Sequence, residues 1–132
     1  MVNVFVEENC NNAPKKQFVK DFLIASATSD LEAAANMLAD SVTLEVVGQE
    51  TISEKESVIR ALFENKTRRG VSEMTVRNIL SHGNKCAADG VMSYKDDGEV
   101  AFCGIYTFTS HSKDAKIKKI TTYLIEKEPE LK

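Results

Sequence analysis

The sequence has little of what marks a membrane-spanning or disulfide-stabilised protein. Its 132 residues include only three cysteines, Cys10, Cys86 and Cys103, and they are not closely spaced. An odd number without tight spacing argues against a disulfide framework, so we predict reduced thiols. No apolar run approaches the roughly 18 residues that a membrane span needs. The N-terminal stretch is too short and too acidic for a signal peptide, which favours a cytoplasmic location.

Concentrated positive charge is also missing. The net charge is −3, and the basic clusters at 66–69 and 116–119 are short. Because phosphate recognition needs a concentrated basic surface, we predict no nucleic-acid partner. His82 and Cys86 flank a turn, but two ligands with no third nearby make a poor metal site. The sequence carries no glycine-rich phosphate loop and no HExxH motif, and we predict neither metal nor cofactor.

What the sequence does contain is an ordinary globular composition, with 42% hydrophobic and 28% charged residues. A chain of this length forms one domain with a sizeable core. Residues 1–12 hold a short apolar patch followed by a polar linker, which we interpret as a docked or frayed N-terminal arm. We therefore predict an arm at 1–12, a single domain at 13–127 and a tail at 128–132.

Helix and strand patterns follow one another in a definite order. Pro14 suits the first turn of a helix, and the capping signatures Ser29–Glu32 and Ser53–Glu56 each predict another helix. The β-branched run Val42–Val47 predicts a strand between them. After Gly70, turn sequences separate four strand-like runs, 72–81, 86–94, 99–109 and 115–126. The predicted inward-facing helical residues are Phe18, Val19, Phe22, Leu23, Leu31, Ala34, Ala35, Leu38, Val58, Ile59, Leu62 and Phe63.

This order predicts an α+β domain with helices on one face of a curved antiparallel sheet. Together with D-L-E-A…L-A-D-S-V-T-L-E early and A-F-C-G-I-Y-T-F late, it resembles the SnoaL-like and ketosteroid-isomerase-like members of the nuclear transport factor two-like superfamily. The resemblance covers residues 14–126. It implies a cone-shaped sheet with three N-terminal helices packed on its concave face around an apolar pocket. It also implies a homodimer formed through the convex face of the sheet.

The isomerase branch of that superfamily uses a tyrosine on the first helix, an aspartate on the first long strand and a second acid on the penultimate strand. The resemblance matches these positions to Phe22, Val46 and Gly104. Apolar or absent side chains cannot transfer a proton or donate a hydrogen bond to an oxyanion. Steroid isomerisation by that mechanism is therefore not expected.

Hairpin pairing gives an independent prediction of which polar groups face the pocket. With H-G-N-K as a tight turn and K-D-D-G closing the next hairpin, the expected pairs are Ser81–Cys86, Asn78–Asp89, Tyr94–Glu99 and Asp89–Gly104. Alternation along the strands then places Asp89 and Asn78 on the pocket face. A register slipped by one residue, or a single bulge, would instead turn Asp89 outward as a surface acid.

Three functional hypotheses follow. The first is a pocket for a small apolar or amphipathic molecule, lined by Phe22, Val46, Phe63, Met74, Asn78, Phe102, Gly104 and Tyr106. The second is an isomerase, dehydratase or hydrolase acting on a carbonyl or polyketide-like substrate, with Asp89 as general base. The third is a non-catalytic domain that dimerises through the convex face. Its interface would include Ile117, Thr121, Tyr123 and Ile125. A last hairpin of different length would shift the register and place Ile120 and Leu124 on that face instead.

Overall fold

The structure is a computed structural model that describes residues 2–7, 13–112 and 114–127, except for the side chains of residues 65–68. Cys10, the linker predicted up to residue 12 and the tail predicted at 128–132 lie outside the described residues. The helices are α1 (Pro14–Ala27), α2 (Leu31–Asn36) and α3 (Lys55–Arg69). The strands are β1 (Asn3–Val6), β2 (Leu38–Val46), β3 (Glu50–Ser53), β4 (Val71–His82), β5 (Lys85–Tyr94), β6 (Glu99–Phe108) and β7 (Ile117–Lys127).

The seven strands of the described residues belong to one sheet, in the order β1-β4-β5-β6-β7-β2-β3. The α+β class and the antiparallel meander of β4 to β7 are confirmed. The short strand β3 was not predicted, and neither was the pairing of residues 3–6 as a parallel edge strand beside β4. Strand β2 joins β7 in parallel. No helix among the described residues is long and apolar enough to cross a membrane.

The start of α2 differs from the predicted capping box. The side chain of Asp30, and not that of Ser29, accepts the backbone N–H of Ala33 at 3.1 Å, so Asp30 is the N-cap. Leu31 is then the first helical residue, and its side chain is 50% exposed where burial was predicted. Leu38 is buried as predicted, but it belongs to β2, which begins four residues before the predicted strand.

The core lies between the helices and one face of the sheet. Helix α1 packs on β4 and β5, and α3 packs on β2 and β3. Phe108 at the end of β6 joins α1 to the sheet, because its ring meets the Phe18 ring edge-on at 5.3 Å between centroids. The Lys15 ammonium lies 5.3 Å from the Phe108 ring centroid. Aromatic and cation–π contacts of this kind add to the burial of the ring itself.

Two of the predicted strand pairs are correct and two are wrong by one residue. Ser81 pairs with Cys86 and Asn78 pairs with Asp89, as expected from the H-G-N-K turn. In the next hairpin Glu99 pairs with Ser93 instead of Tyr94, so Gly104 pairs with Ala88 instead of Asp89.

The cause is the turn between β5 and β6. The Tyr94 N–H donates to the Gly98 carbonyl oxygen at 2.9 Å, and Asp97 has a φ of +67°. A left-handed residue of this kind closes a hairpin with a three-residue loop, one residue shorter than predicted. Strand β4 also contains a bulge between Val76 and Asn78, which changes the face on which the following residues lie.

These two irregularities decide which residues lie on the inner face of the sheet, toward the core, and which lie on the outer face. The inner face carries the buried residues of β5, which are Cys86, Ala88, Gly90, Met92 and Tyr94. The outer face carries Ala87, Asp89 and Val91 of β5, Cys103 and Ile105 of β6, and Tyr123 and Ile125 of β7. Asp89 therefore lies on the side of the sheet away from the core.

Candidate functional site

A cavity of about 260 Å³ lies between α1, α3 and the inner face of the sheet. Alternate residues of β5, β6 and β7 point into it because side chains along a strand alternate between faces. Its apolar lining is Phe22, Leu23, Leu44, Val46, Ala61, Leu62, Met74, Met92, Val100, Phe102, Ile120 and Leu124. Its polar lining is Ser26, Gln49, Arg69, Tyr94, Tyr106, Thr122 and Glu126.

The structure brings together most of the residues predicted to bind a ligand. Phe22, Val46, Met74, Phe102 and Tyr106 line the cavity. The other three, Phe63, Asn78 and Gly104, do not line it. Phe63 is buried in the core, where it helps to hold α3.

Gly104 lies on the inner face but is covered by Tyr106, two residues along the same strand. A Cβ atom at Gly104 would stand 2.5 Å from the Tyr106 Oη, so the glycine makes room for the phenol. The Tyr106 ring meets Phe22 edge-on, with 6.1 Å between the ring centroids. The Tyr106 phenol thus fills the space that an acidic side chain would take at position 104.

Burial raises the pKa of the Tyr106 phenol well above its ordinary value. The group therefore stays protonated at neutral pH. A protonated phenol can donate a hydrogen bond into the cavity, but it cannot act as a base there.

Asp89 and Asn78 form a pair on the outer face. The Asn78 Nδ2 donates to the Asp89 Oδ1 at 2.9 Å, and neither residue lines the cavity. The predicted placement of Asp89 in the pocket is therefore wrong, because the β5–β6 turn and the β4 bulge reverse its face. A general base must reach the reacting proton, so the hypothesis that Asp89 acts as one loses its geometric basis.

An ionic cluster at one end of the cavity was not predicted. Arg69, the last residue of α3, donates from Nε and Nη2 to the Asp96 carboxylate at 2.9 and 3.2 Å. Its Nη1 lies 3.1 Å from the Glu126 Oε1, and its guanidinium lies 4.1 Å from the Tyr94 ring centroid. Arg69, Tyr94 and Glu126 also line the cavity, so the cluster forms its polar end. We call these four residues the Arg69 cluster.

The charges within the Arg69 cluster stabilise one another. Hydrogen bonds from Arg69 lower the pKa of the Asp96 carboxyl, and the same contact raises the pKa of Arg69. Burial raises the pKa of Tyr94, although the guanidinium beside its ring opposes that effect. All three groups therefore keep their ordinary charge states at neutral pH.

Other chemistry-bearing groups lie outside the cavity. His82 and His111 are exposed. Among the described residues, no three His, Cys, Asp or Glu side chains come close enough together to hold a metal ion. Of the described residues that line the cavity, Glu126 alone carries a carboxyl group, and Arg69 contacts it.

The fold and site define an α+β domain with a curled sheet and an apolar pocket that has one ionic end. Two solved structures with similar folds are NTF2-like proteins of unknown function. The one from Burkholderia xenovorans is 17% identical, with a TM-score of 0.72 over 93% of this chain and 91% of that one. The one from Cytophaga hutchinsonii is 22% identical, with a TM-score of 0.65 over 83% and 98%.

An LEH-like epoxide hydrolase from M. tuberculosis is 18% identical, with a TM-score of 0.68 over 85% of this chain and 83% of that one. The chain therefore has the fold of the nuclear transport factor two-like superfamily, and the resemblance implied by its sequence is confirmed at that level. Sequence comparison finds no matching family model and no matching curated protein.

Proposed function

We propose that this protein binds a small apolar or amphipathic molecule in its pocket, on the concave side of a cone-shaped sheet covered by its helices. The observation that carries the proposal is the cavity itself, about 260 Å³ in volume with an apolar wall and one polar end. Ligand sites typically combine apolar walls with a few polar groups that orient the ligand. The volume is just below the roughly 300–1,000 Å³ of sites for drug-sized ligands, so a small molecule is favoured.

Binding is better supported than catalysis. Among the described lining residues, the one carboxylate belongs to Glu126, which is already paired with Arg69. The phenol of Tyr106 is held protonated by burial, so it is suited to orienting a ligand through a donated hydrogen bond. We also propose a cytoplasmic location, in keeping with the free thiol of Cys103.

Filling the cavity should block binding. Val46, the last residue of β2, lines the pocket, so a Val46→Phe substitution places a ring in the space that a ligand would occupy. We expect the dissociation constant of 1-octanol, used as a probe, to rise at least about tenfold, which is about 1.4 kcal/mol. Isothermal titration of the wild type and the variant measures this change.

The matched control is Val91→Phe. Val91 is also a strand valine of intermediate exposure, but it lies on the outer face and does not line the cavity. Its substitution should leave octanol affinity within about twofold, a change of about 0.4 kcal/mol. Equal octanol affinity in wild type and Val46→Phe would contradict the proposal, as would a soaked crystal with octanol bound elsewhere.

We also infer that two copies of this chain pair through the outer face of the sheet. Tyr123 and Ile125 are 44% and 69% exposed and lie side by side on β7, opposite Cys103 and Ala101 of β6. Exposed apolar groups that form a continuous patch are typical of interaction surfaces. Ile117, which was predicted to take part, is fully buried in the core and is excluded from this interface.

An Ile125→Glu substitution should weaken the pairing. Placing one carboxylate from each copy in an apolar interface costs free energy, since neither charge has a partner there. We expect the dimer dissociation constant to rise at least about tenfold, measured by sedimentation velocity over a micromolar concentration series. A wild type that is monomeric across the whole series would rule out the dimer.

A further inference from the structure

The Arg69 cluster contains one positive and two negative groups, and all of them are joined at the polar end of the cavity. The Arg69 guanidinium donates two hydrogen bonds to Asp96 and forms an ion pair with Glu126, and the Tyr94 ring covers one of its faces. Its side chain is only 18% exposed, whereas that of Glu126 is 65% exposed. The guanidinium is thus already paired with two protein carboxylates, and the more accessible charge beside the cavity is the carboxylate of Glu126.

This arrangement decides which polar group a ligand can bring to that end. A carboxylate would meet the like charge of Glu126, and the Nε–Nη2 edge of Arg69, which could bind it at two points, is already bound to Asp96. A hydroxyl or an ammonium group would instead donate a hydrogen bond to Glu126 without disturbing the cluster. Although an arginine in a pocket commonly indicates an anionic ligand, the neighbouring acids reverse the preference here.

We propose that the pocket selects amphipathic molecules whose polar end is a hydroxyl or an ammonium group and that it discriminates against carboxylates. This inference rests on the proposed function, because it assigns the chemical class of the ligand for the same pocket. Glu126 would contact the polar end of the ligand, and Arg69 holds Glu126 in place. Asp96 is a positioning residue, because it binds the Arg69 guanidinium.

The test uses three probes with the same alkyl chain: 1-octanol, octylamine and octanoate. We expect octanol and octylamine to bind the wild type at least about tenfold more tightly than octanoate, at neutral pH and about 0.15 M salt. In the double variant Asp96→Asn with Glu126→Gln, both protein carboxylates are removed, so the Arg69 guanidinium can bind the carboxylate of a ligand. Octanoate should then bind at least about tenfold more tightly than it binds the wild type, and octylamine, which loses the carboxylate of Glu126, should bind more weakly.

Asp97→Asn is the control for the Asp96→Asn change, because it removes one negative charge from the same loop at a residue for which no contact with Arg69 is seen among the described residues. It should leave the ratio of octanoate to octanol affinity within about twofold. If circular dichroism shows that the double variant is unfolded, the single Glu126→Gln variant, at an exposed residue, serves in its place. Its octanoate affinity should then rise and its octylamine affinity fall, because the carboxylate that repels the one and attracts the other is gone.

The outcomes separate the two proposals. This inference is overturned if octanoate binds the wild type as tightly as octanol does. It is also overturned if the double variant has the same ratio of octanoate to octanol affinity as the wild type. Either result leaves the proposed function standing. Failure of all three probes to bind the wild type overturns the proposed function, and this inference with it.

Discussion

Replacing Phe108 with alanine is expected to lower the free energy of unfolding by about 4 kcal/mol. Phe108 is 1% exposed, and it is the residue through which Phe18 and Lys15 of α1 contact the end of β6. Removing the ring leaves a cavity that the surrounding rigid strands cannot fill, and it also removes both contacts with α1. Chemical denaturation followed by circular dichroism measures the loss.

Phe5→Ala is the matched control, because it makes the same change at a residue that is 51% exposed on the edge strand β1. Its expected cost is below about 1 kcal/mol, since little apolar area leaves the core. If both substitutions cost the same, Phe108 does not link α1 to the sheet through its buried ring.

Replacing Gly90 with alanine is expected to cost about 3 kcal/mol, an effect large for a single methyl group. A Cβ atom at Gly90 would collide with the backbone carbonyl oxygen of Thr75 on the neighbouring strand and would press on the Phe102 ring. A side chain can rotate away from a collision, but a carbonyl held in a sheet cannot. The two strands would have to separate beside the bulge that follows Val76. Chemical denaturation of the variant measures the cost.

Gly48→Ala separates this collision from the general cost of replacing a glycine. Gly48 has a φ of +84°, and no heavy atom lies within 4 Å of the place that an alanine Cβ would take, so only the backbone conformation is penalised. That penalty is about 1 kcal/mol. A Gly90→Ala variant no less stable than Gly48→Ala would show that β4 and β5 do not approach each other so closely.

The sequence predicted the elements well because the relevant patterns are short-range. Pro14 marks the observed start of α1, and Gly70, with a φ of +75°, directly follows the end of α3. The four runs after Gly70 form β4 to β7 with ends within two residues of the predicted ones. The strands β1 and β3 escaped prediction because four residues at a sheet edge carry too little periodic signal.

The candidate site was only partly predictable. Phe22, Val46 and Phe102 were placed correctly because apolar residues on helices and strands follow the periodicity of the core. Asp89 was misplaced because one left-handed residue at Asp97 and one bulge reverse the face of a strand without changing its composition. Such backbone details depend on how the strands pair across the sheet.

By itself, the sequence determined the fold class, the order of the longer elements and the apolar character of the pocket, since these depend on local propensity and on hydrophobic periodicity. The tertiary structure alone decided which face Asp89 occupies and which charges meet at the pocket. Arg69 and Asp96 are separated by 27 residues, and Glu126 lies on a third element. They meet because the end of α3, the β5–β6 turn and the end of β7 converge at one end of the cavity. No local pattern encodes that convergence, which follows from the pairing of the strands and the packing of α3.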